Sequence, residues 1–163
     1  MTLDAILLQK LAEWKPAGAD RGVLAATEEA TAWTANVTAD RNDALSTLVW
    51  ELTVRRPQPR ATGGGDALRT WAERVAARVT GLMEPIKVVE VDVLRNEALL
   101  RSDEPASRAE KLFYYEVVLK GTHEATARRY QIGCSPGQPR EQVAFALTHE
   151  ALAKPAADLT ADK

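Results

Sequence analysis

The chain has one cysteine, two histidines and no apolar run near the ~20 residues that cross a bilayer. Cys134 alone excludes an intramolecular disulfide and any multi-cysteine zinc site. His123 and His149 each sit in Thr-His-Glu, and neither belongs to a spacing that gives two metal ligands from one element. Net charge is −2 with pI near 5.8, so there is no electrostatic case for nucleic acid or an anionic membrane. No serine lies in a Gly-x-Ser-x-Gly elbow. The start, MTLDAILLQKLAEW, lacks a basic region and does not read as a signal peptide, so a soluble cytoplasmic protein is expected.

What is present fits one α+β domain. The 163 residues are 45% apolar and 27% charged, enough for a core without metal or disulfide. The densest aromatic stretch, Lys111 to Gly133, reads as a hairpin at the centre of a sheet. In it Phe113, Tyr115, Val117 and Leu119 alternate with Tyr114, Glu116, Val118 and Lys120. Gly121 to Glu124 reverses the chain.

Leu3, Ile6, Leu7, Leu11 and Trp14 fall on one helical face, ended by Pro16. Strands are expected over 23–27, 32–39 and 46–56, with Asp40 to Asp43 as a turn. In the third of these, Leu48, Trp50, Leu52 and Val54 would share one face. Pro57 to Gly65, with two prolines and three glycines, reads as a mobile loop. Leu68, Trp71, Val75, Val79 and Leu82 mark a second helix, and 86–101 returns to strand, with a bend or bulge expected near Asn96. A third helix is expected from Pro139 to about Lys154, stopped by Pro155. The expectation is an antiparallel sheet of about five to six strands with three helices, in the order α-β(β)β-α-βββ-α. Residues 1–155 would form the domain and 156–163 a frayed tail.

Four carboxylates occupy alternate strand positions: Glu51, Glu90, Asp92 and Glu116. Gathered on one face they would serve as an acid/base pair or hold a divalent metal. The ordinary alternative is a solvated face on which Arg55, Lys120 and Arg128 or Arg129 pair with them. Arg60 to Gly65 precedes a helix and so invites an anion, but lacks the P-loop ending and carries Asp66 where the anion would sit. Cys134 has no neighbouring base in sequence, which favours a packed thiol over a nucleophile. Fourteen arginines against seven lysines leave local arginine faces open, at Arg74 with Arg78, at Arg55, Arg56 and Arg60, and at Arg128 with Arg129. No aromatic-interleaved nucleic-acid motif accompanies them.

No catalytic, cofactor or metal site is read from the sequence. The expectation is a non-enzymatic interaction or assembly module, a homo-oligomeric subunit or an adaptor with a protein partner. A small enzyme using Glu51, Glu90, Asp92 and Glu116 is the competing class. The order of elements from Leu3 to Lys120 resembles phage tail-terminator and neck proteins, which form rings. The segment after Arg128 departs from that order. A terminal helix over 139–154 is also similar to the small dimeric chaperones of type III secretion. Both resemblances imply assembly or partner binding rather than catalysis.

Overall fold

A computed structural model describes residues 1–16, 20–57, 64–79, 82 and 84–161, and among them the order is one helix, three strands, a second helix, seven strands and a third helix. Helix α1 spans Leu3–Glu13, and its buried Leu3, Leu7 and Leu11 are the positions that the sequence spacing marks. Covering each leucine is worth about 2 kcal/mol relative to leaving it in water. Three antiparallel strands follow, β1 (Gly22–Glu28), β2 (Trp33–Asn42) and β3 (Ser46–Arg55). Helix α2 (Gly64–Arg78) leads to β4 (Ile86–Asp92), β5 (Glu97–Ser102), β6 (Ala106–Arg108), β7 (Lys111–Lys120) and β8 (Glu124–Gly133). Then come β9 (Glu141–Val143), β10 (Phe145–Thr148) and α3 (His149–Thr160).

All strands join one antiparallel sheet, ordered β1-β2-β3-β8-β7-β5-β4, with β6 on β7, β9 on β8 and β10 on β3. The helices line one face in the order α1, α3, α2, because α3 touches both others. Trp33 of β2 meets Trp71 of α2 at 6.1 Å between ring centroids, and Trp71 Nε1 donates to the Leu159 carbonyl of α3 at 3.1 Å. Asn42 ties the same layers together. Its amide donates to the carbonyls of Leu11 and Trp14, while its oxygen accepts from Thr47 and lies 3.0 Å from His149 Nε2. All four of its hydrogen-bonding valences are used.

The class is as expected, but several boundaries differ. The sheet has ten strands rather than five or six. The stretch 86–101 is two strands joined by a turn in which Asn96 takes φ 56, and Ala106–Arg108 adds a short strand ahead of the turn at Ala109 and Glu110. β2 runs through Asn42, so the reversal falls at Asp43 to Ser46. There the Asp43 carboxylate accepts from the backbone N–H groups of Leu45 and Ser46, which holds it below its ordinary value.

In β3 the alternation breaks at Trp50. Thr38 pairs with Glu51 and Ala39 with Val49, so Trp50 is an extra residue in the ladder. The bulge turns Thr47 and Val49 to the same buried face as Leu52 and Val54, and sends Leu48 and Trp50 to the other side. The third helix is the largest change. Residues 141–143 and 145–148 are strand, the helix begins at His149 under a Thr148 cap, and it continues past Pro155 to Thr160. The part expected to fray carries the buried Ala156 and Leu159, whose packing outweighs the hydrogen bond lost at Pro155. The expected loop over 57–65 and the expected helix end at Gly81 fall largely on 58–63 and 80–81, outside the described residues.

Candidate functional site at the fork between β3 and β8

Strands β3 and β8 pair only from Leu52–Ala127 to Arg55–Glu124 and then part. The chain fills the fork that they leave. β9 runs inward along β8, with Glu141 opposite Gln131 and Val143 opposite Arg129. It turns at Ala144 and runs outward along β3 as β10, with Phe145 opposite Val49 and Thr148 opposite Ser46. Parting strands expose unpaired backbone groups, and this V-shaped segment satisfies both arms. Gln142 closes the apex by donating to the Trp50 carbonyl at 3.0 Å.

Because β7 and β8 alternate, each doubled pair in the sequence sends one residue to each face. Tyr114 and Arg128 lie on the outer face, Tyr115 and Arg129 on the helix side.

The outer face receives the carboxylates marked in the sequence, though not as one group. Glu116 is buried, with 7% of its side chain exposed, and it accepts from Arg101 at 3.1 Å and Arg140 at 2.6 Å. Glu51, displaced by the bulge, accepts from Arg128 at 2.8 Å. Arg140 also reaches the Tyr114 hydroxyl and lies 3.9 Å from the Tyr130 ring centre. Burial opposes the charge of Arg140, but hydrogen bonding and attraction from Tyr114 and Glu116 outweigh it and raise its pKa. Glu90 and Asp92 stand on β4, with β5 between them and β7. They line a hollow of about 200 Å³ with Arg95 and Glu97, and Asp92 caps the turn by accepting from the Arg95 N–H. Thus Glu51 and Glu116 each answer to arginine, and the four do not converge. Among the described residues no cluster of three or more His, Cys, Asp or Glu is placed to hold a metal.

The helix side holds what the sequence pattern missed. Arg129 donates to Glu84 at 2.6 Å, and both side chains are mostly buried, at 15% and 13% exposed. The guanidinium lies 4.3 Å from the Tyr115 ring centre and 5.7 Å from that of Phe113. Tyr115 meets Phe145 edge-on at 5.3 Å. Burial pushes the Tyr115 phenol above its ordinary value, keeping it protonated. Beside this group opens a cavity of about 460 Å³, lined by Arg108, Phe113, Tyr115, Arg129, Phe145 and the turn at Ala144. The clue available in the sequence was the run Phe113-Tyr114-Tyr115 against Arg128-Arg129. What it lacked was Glu84, which lies in a connector with no periodicity.

The other marked residues lie apart. His149 is buried at the start of α3 against Asn42, and His123 sits in the β7–β8 turn. Cys134 is exposed and free, not packed. Arg55 pairs with Glu124 at 2.8 Å, and Arg56 lies 4.6 Å from the Trp33 ring centre and bonds to the Thr122 carbonyl at 3.0 Å. Arg60 is outside the described residues. No helix among the described residues is long and apolar enough to cross a membrane. No protein-family model, curated protein or solved structure matches this chain.

Proposed function

We propose that the chain is a non-enzymatic assembly module that pairs with a second copy of itself by adding strand to strand at β1. The free edge of β1 is the observation that carries this. Its seven residues pair with β2 in an unbroken register, with no bulge, no proline and one charge, Glu28. Natural sheets usually guard such an edge, and here a lysine of α1 lies across its centre. The opposite edge, β4, is guarded by a register shift near Val89 and by Lys87, Glu90 and Asp92.

Lys10 Nζ donates to the Ala25 carbonyl at 3.1 Å, so that carbonyl points away from β2. By the period of a strand, Val23, Ala25 and Thr27 all turn their backbone groups outward. An antiparallel pair centred on Ala25 sets Val23, which is 64% exposed, against Thr27 of the second copy. It also brings Arg21 near Glu28 and Glu29 of the second copy at both ends, whereas parallel pairing would set like charges together. The guarded β4 edge favours such a closed dimer over a ring made by joining β1 to β4.

Light scattering across about a tenfold concentration range tests it. The expected mass climbs from 17.8 kDa toward twice that value. Ala25→Pro removes an outward N–H and leaves a monomer with an unchanged circular dichroism spectrum. Lys10→Ala, which frees the Ala25 carbonyl, shifts dimerisation to lower concentration. A wild-type chain that stays at the monomer mass throughout sinks the proposal.

A further inference from the structure

We infer that the cavity beside Arg129 is a binding site for a small aromatic monocarboxylate. At about 460 Å³ it falls within the range of small-molecule sites. Its walls combine the rings of Phe113, Tyr115 and Phe145 with two guanidinium groups and no carboxylate. Apolar walls with a few converging donors are the usual make-up of such sites.

The charge of the ligand follows from the two arginines. Glu84 neutralises Arg129, which also hydrogen-bonds to Tyr115. Arg108, on the exposed strand β6, has no ion-pair partner among the described residues. The cavity therefore carries one uncompensated positive charge at its rim. One charge matches a carboxylate better than a phosphate dianion, and a planar carboxylate fits the guanidinium fork. The ring-lined interior takes the flat apolar body, with Tyr115 and Phe145 offering an edge and a face. Arg108 reads the charge and the aromatic walls read the shape. The site lies two strands from β2 and three from β1 along the sheet, so binding and self-association can be separated.

Calorimetry on the full chain with 2-naphthoate, and with neutral 2-naphthamide as its isostere, tests the inference. The expected result is one naphthoate per chain, with the amide about tenfold weaker or worse. Arg108→Ala, at an exposed position that leaves the core intact, weakens naphthoate by about tenfold and leaves the amide unchanged. Inorganic phosphate at the same concentration does not compete. The inference is overturned if naphthoate fails to bind at about millimolar concentration. Equal binding of acid and amide, or an Arg108→Ala chain that binds naphthoate like the wild type, overturns it equally.

Discussion

Strands β7 and β8 carry two glutamate–arginine clusters, one on each face, and they are finished differently. On the outer face Glu116 accepts from both Arg101 and Arg140. Tyr114 and Tyr130 stack beside it at 5.8 Å, and Arg140 lies over Tyr130. Among the described residues, Glu84 on the helix side pairs with Arg129 alone, and its buried Oε1 has no hydrogen-bond partner. Where the segment entering β9 supplies Arg140 to close the outer cluster, the inner one borders an open cavity. The same residue types make a closed cluster on one face and border an open cavity on the other. What separates them is the number of counter-charges that reach each carboxylate.

Removing the two glutamates in turn breaks the comparison most sharply. Glu84→Ala leaves a mostly buried arginine uncompensated, which should cost about 3 kcal/mol by urea unfolding. It should also tighten naphthoate by roughly tenfold, since the cavity then carries a second unpaired positive charge. Glu116→Ala frees two arginines that are each about 40% exposed, so water screens them and the cost falls to about 1–2 kcal/mol. Naphthoate affinity should not change in that variant. If Glu116→Ala proves the more damaging, or if both alter binding alike, the two faces are not divided as described.

The sequence carried the hairpin on which both clusters sit, because Phe113 to Lys120 alternates strictly and pairs without interruption from Lys111–Gly133 to Lys120–Glu124. It did not carry the partition of the clusters. Glu51 reaches Arg128 from a strand whose face is reset by the extra residue Trp50. A bulge leaves no mark in composition, since Leu48-Val-Trp-Glu-Leu-Thr-Val54 reads as unbroken alternation. Arg140 was assigned to a helix because Pro139 suits a helix start and Val143 and Leu147 lie four apart. The same residues with Phe145 also fit period two, and the unpaired arms of β3 and β8 decide for strand. Both clusters were hidden for one reason: each depends on a partner that long-range pairing delivers.

A third pair at the start of β8 sets the lower bound of the comparison. Arg55 and Glu124 lie 2.8 Å apart, but Arg55 is 60% exposed. The hydrogen bond from Arg55 holds the Glu124 carboxyl below its ordinary value of 4.5. A carboxylate lowered in the folded state adds stability above pH 4.5, and loses it as pH falls through the folded pKa. Arg55→Ala should therefore cost no more than about 0.5 kcal/mol at neutral pH, and nothing measurable in acid. In that variant the Glu124 titration, followed by NMR, should move up toward 4.5. Added salt should weaken the wild-type pair while leaving Glu84–Arg129 nearly untouched, because exposed charges are screened and buried ones are not. A loss at Arg55 as large as that at Glu84 would mean that burial does not set the strength of these pairs.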